Sequence, residues 1–409
     1  MNYSEAIEYI EGRQKFGVNL GLSRIKALLA HLGDPQKKFK SVVVGGTNGK
    51  GSVVAILGAL INDSSMKSGI YTSPHLLEYT ERIRLNEADV GRETLAKAIS
   101  RVRRVLDENF PDVGEPTVFE VLTAAAFLIF AESGVELAVL EVGLGGRLDA
   151  TNVVDPLVTA ITNVELDHTE VLGKDLRSIA LEKAGIIKIG TPLVTGIRQQ
   201  KILDLVKKIA AEKDAPVFVV NDLMRNVKSD LKIPLYGRHQ LMNLAIALGI
   251  LELIPVKLSQ DQINERVFKV RWPGRLQIIN KKPLIVLDGA HNPSAAVVLQ
   301  DALKELQAKR PMRLILGIGD YKDIPGIVLN LVPGFDSVIC TRSYHPRAAR
   351  PEEICKHVSK MGMPSSCVDP VGRALDEVLE KGEKQTVVVA GSLFAVADAM
   401  AHLKSINFY

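Results

Sequence analysis

Residues 42–52 read VVVGGTNGKGS and run directly into VVAILGALI. An apolar β-branched run, a glycine-rich turn carrying a lysine and a serine, and an apolar helical pattern follow one another without a break. No other stretch constrains the fold as strongly. The run predicts a buried strand of a parallel sheet, and the helix must start at that strand's C-terminal edge. Gly46, Gly49 and Gly51 let the backbone N–H groups of the turn, including those of Thr47 and Asn48, converge where a Cβ would crowd them. The first turn of the helix adds partial positive charge, so the whole suits a phosphate group. Lys50 is placed to bridge the β- and γ-phosphates of a nucleotide. Ser52 offers a hydroxyl to Mg²⁺, although Gly51 separates it from the lysine and breaks the usual Gly-Lys-Ser/Thr order. A plain glycine turn with an incidental lysine would not need both the strand and the helix.

Further strands are predicted in LAVLEVG from Leu137, LVTAIT from Leu157 and TPLVTG from Thr191. Between them, residues 92–109 predict an amphipathic helix, with Leu95, Ile99, Val102 and Leu106 on one face. Past the single tryptophan, in RWPGRLQ, a second alternating series begins. LIVL from Leu284, RLILGI from Arg313, DSVICT from Asp336 and TVVVAG from Thr386 read as strands, with helical patterns at 295–308 and 371–381. The chain of 409 residues is therefore expected to be α/β with two domains. A mostly parallel, P-loop NTPase-like sheet domain would cover residues 1–276, and a smaller Rossmann-like α/β domain residues 277–409.

Lys plus Arg number 51 against 47 Asp plus Glu, and no long run of like charges occurs, which excludes an electrostatic case for nucleic acid. The longest apolar stretch, Val121 to Ala131, falls well short of the ~20 residues that cross a bilayer and predicts a buried helix. The opening MNYSEAIEYIEGRQKFG lacks the order of a signal peptide and predicts an amphipathic helix. Cys340, Cys355 and Cys367 show neither CxxC spacing nor an even count, so a reducing, cytoplasmic location is expected, with no membrane partner.

Glu141 stands near the C-terminal end of an apolar strand, where a lone buried carboxylate would be costly unless a cation compensated it. The segment NVELDHTEVLG puts Asp167 and His168 at the corresponding edge of the next strand. Carboxylate, imidazole and hydroxyl donors suit Mg²⁺ or Mn²⁺ that bridges phosphates; a capped turn with surface polar groups is the alternative for each residue alone.

GTNGKGS, YTSPHL (71–76), ERI (81–83), PTVFEVLTAAAF (116–127), ALEKAGIIK (180–188), GRHQLMNLAIAL (237–248), WPGR, LDGAHNP (287–293) and AGSLFAV (390–396) together resemble the folylpolyglutamate synthase/dihydrofolate synthase branch of the Mur ligase superfamily. The resemblance covers most of the chain. It implies ATP and two Mg²⁺ ions, with metal roles for Ser52, Glu141 and His168 and a second ion near Ser73. It implies a pterin site near ERI, and carbamylation of Lys183, whose alternative is a helix-surface lysine paired with Glu182 or Asp175. It further assigns Asn243 to the adenine, Arg275 to the nucleotide phosphates, Asp288 to the ribose, His291 to the reacting groups and Ser392 to the incoming glutamate. The DGAHN stretch also reads as a helix N-cap, and both readings can hold.

The activity implied is an ATP-dependent amide ligation. A carboxylate of dihydropteroate or a reduced folate becomes an acyl phosphate, and the amine of L-glutamate displaces the phosphate, with Lys50, Lys183 and His291 closest to the chemistry. Two hinged domains would exclude water from the acyl phosphate. A bifunctional enzyme acting as a monomer is expected. The alternatives are a Mur-type peptide ligase on another acid, disfavoured by TSPHL, ERI and ALEKAGI, and a non-ligase P-loop NTPase module, disfavoured by Gly51 and by DGAHN in a second sheet domain.

Overall fold

Val42, Val43 and Val44 are almost completely buried, each contributing about 1.5–3 kcal/mol by leaving water. They form the middle of β1 (Lys40–Gly45), the central strand of the first sheet in the computed structural model, which describes residues 1–62, 66–109, 113–220, 233–380, 382 and 385–408. The other strands of that sheet are β2 (Ser68–Tyr71), β3 (Ile83–Leu85), β4 (Ala88–Asp89), β5 (Leu137–Glu141), β6 (Val158–Ile161), β7 (Leu193–Thr195) and β8 (Val217–Val219). Their order is β4-β3-β2-β5-β1-β6-β7-β8. All pairings from β2 to β8 are parallel, while β3 and β4 add an antiparallel edge. Val44 is opposite Glu141 of β5 and Ala160 of β6, so three strands end together at one edge.

Helices cover this sheet as the apolar patterns require. Arg92–Asn109 is helical over the predicted span and buries Leu95, Ile99 and Val102. Val118–Glu132 is buried on nearly all sides, and it starts with a capping box in which Thr117 accepts from the Glu120 N–H and Glu120 reaches back to the Thr117 N–H. Asp175 caps Leu176–Ala184, the helix that carries Lys183.

The second sheet holds β9 (Gln277–Lys281), β10 (Leu284–Leu287), β11 (Met312–Leu316), β12 (Ser337–Cys340), β13 (Ser365–Cys367) and β14 (Thr386–Ala390), in the order β13-β12-β11-β14-β10-β9. Only β9 is antiparallel to its neighbour. Its core gathers Val286, Leu314, Leu316, Val338, Cys340 and Val388 with the apolar faces of Pro293–Glu305 and Ile324–Leu331. The chain divides into two compact units, one of Met1–Glu165, Thr169–Lys232 and Met242–Val270, the other of Leu166–His168, Ile233–Leu241 and Arg271–Tyr409. Among the described residues no helix is long and apolar enough to cross a membrane.

The short strands β2, β3, β4, β8, β9 and β13 carry no alternation that the sequence patterns could reveal. Tertiary pairing decides them.

Candidate functional site

The turn after β1 takes the shape its glycines permit. At Gly46 φ is +135°, and a Cβ there would stand 1.9 Å from the Thr162 Oγ1, so only glycine lets the ends of β1 and β6 approach. At Gly49 φ is +84°, and a Cβ would lie 2.4 Å from the Asn243 Oδ1. Asn243, on the helix His239–Leu251, is thus placed against the turn. Gly51 and Ser52 are buried in the first turn of the helix Lys50–Ile61.

The segment after β6 pins the turn. The Asn48 carbonyl accepts from the Thr162 Oγ1 at 2.6 Å and from the Asn163 Nδ2 at 3.1 Å, while the Asn48 N–H donates to the Asn163 Oδ1 at 2.9 Å. Thr47 exchanges hydrogen bonds with the Glu165 backbone, donating through Oγ1 at 3.2 Å and accepting the Glu165 N–H at 3.0 Å. Sequence reasoning missed Thr162 and Asn163; the only signal was TN directly after the strand LVTAI.

Two lysines converge on the turn. The Lys50 Nζ donates to the carbonyls of Gly46 at 3.2 Å and Thr47 at 3.1 Å. The Lys183 Nζ, on a residue only 4% exposed, donates to the same Gly46 carbonyl at 2.9 Å. The structure does not make Lys183 a surface residue: Glu182 pairs with Arg147, and Asp175 caps the helix. Lys50 brings to the turn the positive charge that a polyphosphate requires, and Lys183 brings a second nitrogen to the same carbonyl.

Glu141 ends β5 beside the turn, and its Oε2 accepts the Ser73 N–H at 3.0 Å, so these two predicted metal residues are neighbours at the C-terminal edge. Next to them lies a cluster from YTSPHL and ERI. The His75 Nδ1 accepts from the Arg82 Nε at 2.8 Å, and the His75 ring lies 4.2 Å from that of Tyr79. Burial, then the Arg82 charge, lowers the His75 pKa to about 3, so the ring is neutral. The Glu81 carboxylate accepts the N–H groups of Leu76, Leu77 and Glu78, each at 2.7 Å, which fixes the loop.

In the second unit Asp288 braces its own loop, accepting the Leu276 N–H at 2.7 Å and the Ala290 N–H at 2.8 Å. Arg275 lies over Gly289, where a Cβ would stand 2.3 Å from its Nη1. The His291 Nδ1 is 2.8 Å from the Gly289 carbonyl, and its Nε2 is 3.5 Å from the Asp167 Oδ2. Asn292 caps Pro293–Glu305, as the capping reading of DGAHN expects, and also donates to Asp167 at 3.1 Å.

Asp167 is the hub of this group. Lys322, whose side chain is 7% exposed, donates to its Oδ1 at 2.7 Å. Burial alone would raise the carboxyl pKa. The His291 hydrogen bond and the charges of Lys322, His291 and His168 outweigh it and hold the group well below the usual carboxylate range. His168 has φ +48° and its Nε2 faces the Lys322 Nζ at 3.3 Å. Lys322 was missed, because GDYKDIPG reads as a polar loop.

Ser392 caps Leu393–Ser405, accepting the Ala395 N–H at 3.0 Å. Nearby, beside Gly317 and at the end of β12, the buried Thr341 Oγ1 has no hydrogen-bond partner among the described residues.

Among the described residues no group of three or more His, Cys, Asp and Glu side chains is arranged to hold a metal. The donors at hand, the Ser52 hydroxyl and the Glu141 carboxylate, are hard oxygens. They fit an ion such as Mg²⁺ that keeps water and substrate phosphates in its shell rather than an all-protein cage.

Residues 274–393 match the Mur ligase, glutamate ligase domain family. The whole chain is 32% identical to the dihydrofolate synthase/folylpolyglutamate synthase of Bacillus subtilis, an alignment that covers 98% of this chain and 99% of the relative. The fold is similar to that of Escherichia coli FolC in complex with DHPP and ADP, with a TM-score of 0.91 at 29% identity over 100% of this chain and 99% of that one. It is also similar to a bifunctional folylpolyglutamate synthase/dihydrofolate synthase with Mn, AMPPNP and L-glutamate bound, with a TM-score of 0.88 at 32% identity over 99% and 98% of the two chains.

Proposed function

The chain belongs to the dihydrofolate synthase/folylpolyglutamate synthase family of ATP-dependent ligases, and on that premise we propose that it joins L-glutamate both to dihydropteroate and to reduced folates by way of an acyl phosphate. The observation that carries this reading is the turn after β1, where Gly46 and Gly49 keep the backbone open and Lys50 and Lys183 meet at one carbonyl.

Lys50 and the N–H groups from Gly46 to Ser52 bind and orient the triphosphate, so most of the rate comes from positioning and charge neutralisation. Asn243 contacts the adenine, Arg275 the phosphates and Asp288 the ribose. Ser52, Glu141 and His168 hold one Mg²⁺, and Ser73 helps hold a second; when bound, these ions neutralise the phosphate charge. Lys183 is carbamylated, and its nitrogen keeps an N–H for the Gly46 carbonyl in that form. The neutral His75 ring and Tyr79 receive the flat pterin. Ser392, with the first turn of its helix, takes a carboxylate of glutamate. His291, held by Asp167, lies by the attacking amine. The enzyme acts as a cytoplasmic monomer on small molecules, without nucleic acid or membrane; the near balance of charge supports the first exclusion.

Incubation with ATP, Mg²⁺, L-glutamate and either dihydropteroate or a reduced folate, followed by mass spectrometry, tests the reading. ATP-dependent gain of one glutamyl group on both acceptors is expected. Gain on one alone would reduce the proposal to a single activity, and phosphate release indifferent to both acceptors would identify an NTPase module instead.

A further inference from the structure

Cys340, Cys355 and Cys367 are the only cysteines of the chain and lie on β12, on the helix Pro351–Ser359 and on β13. The fold gathers them. Cys340 and Cys367 are register partners where β12 pairs with β13, and the helix that carries Cys355 packs against both strands. The Cys367 Sγ lies 2.6 Å from the Cys355 Sγ, and the Cys355 thiol faces the Ser366 carbonyl at 3.4 Å. Cys340 is buried, Cys355 half-buried and Cys367 exposed, so solvent reaches the group through Cys367. None of the three belongs to the ligase machinery described above. Since no group of this kind among the described residues is arranged to hold a metal, the cluster has the chemistry of vicinal thiols.

We propose that Cys355 and Cys367 form a thiol–disulfide exchange site, which a low-molecular-weight disulfide such as oxidised glutathione closes to an internal disulfide. Cys367, as the thiolate, attacks one sulfur of the oxidant, forming a mixed disulfide and releasing one glutathione thiolate. Cys355, already in contact, then attacks the Cys367 sulfur and releases the second. The two protein protons end on the two glutathione molecules, the protein dithiol is oxidised, and the oxidant is reduced. Burial, then the hydrogen bond to Cys355 and the neighbouring Cys355 and Glu352 charges, pushes the Cys367 thiol up to about 12. At neutral pH Cys367 therefore rests as a thiol and reacts through a small thiolate fraction. The product ties the exposed edge strand β13 to its helix, at the side of the sheet where fraying starts most easily.

The test uses the full, reduced chain, treated with oxidised glutathione, quenched in acid, unfolded, alkylated and mapped by mass spectrometry. The expected product has lost two hydrogens, carries a Cys355–Cys367 link and alkylates only at Cys340. Dithiothreitol restores the starting mass. In Cys355→Ser, the missing resolving thiol leaves a persistent glutathione adduct on Cys367. Three alkylatable thiols in the treated wild type, a persistent adduct on it, or a link that maps to Cys340 would each overturn the proposal. So would stoichiometric zinc retained through gel filtration at the expense of oxidation.

Discussion

At Asp167 a nearly buried carboxylate is kept ionised by Lys322, His291, His168 and Asn292, and this arrangement decides how the residue responds to mutation. Lys322→Met removes the closest cation and leaves the carboxylate buried without it, so a loss of about 3–5 kcal/mol in urea unfolding is expected. Adding Asp167→Asn should recover part of that loss, because both members of the pair are then neutral. His75 makes a second residue-level case. Its folded pKa of about 3 lies below its ordinary value of 6.5, so between those limits the unfolded chain binds the proton and the folded chain does not. Stability must therefore fall as pH drops from 6.5 towards 3, by a few kcal/mol in all. His75→Gln keeps an acceptor for Arg82 and should flatten that limb of the pH–stability curve. Lys50→Ala should lower kcat by about 10²–10³, the size of effect that follows loss of one preorganised charge donor, as steady-state kinetics would read. Lys50 and Glu141 stood out in the sequence because one sits in a glycine turn and the other ends a strand. Lys322 did not, since nothing local distinguishes it from any lysine in a polar loop.

The element that governs the site is the strand–turn–helix of β1 and Lys50–Ile61. In Gly46→Ala the new Cβ would stand 1.9 Å from the Thr162 Oγ1 at a φ of +135° that alanine rarely adopts. Nucleotide affinity measured by calorimetry should fall at least tenfold, while the circular dichroism of the sheet and helices stays close to wild type. This element was readable because its strand, turn and helix each have a strong local signature. The β2–β3–β4 edge, β8, β9 and β13 were not. They are only two to five residues long, and β13, Ser365–Cys367, is exposed throughout, so no apolar alternation marks it. Their strand state follows from a neighbour that offers backbone hydrogen bonds, which a local pattern cannot encode.

For the whole molecule, nucleotide and folding are linked by mass action. With Mg²⁺ and a non-hydrolysable ATP analogue at about one hundred times its Kd, the native state should gain about 2.7 kcal/mol, seen as a rise in Tm that Lys50→Ala sharply reduces. By itself the sequence determined the α/β class, the two sheet series, the phosphate turn and its lysine, and enough motif spacing to point to the family. These depend on local propensity and on short-range periodicity, which adjacent residues carry. Only the tertiary structure decided that Lys183 reaches the Gly46 carbonyl, that Thr162 and Asn163 clamp the turn, that Lys322 neutralises Asp167 and that three scattered cysteines meet. Each of those contacts joins groups brought near by chain packing rather than by position along the chain, so its energy exists only once the fold has formed.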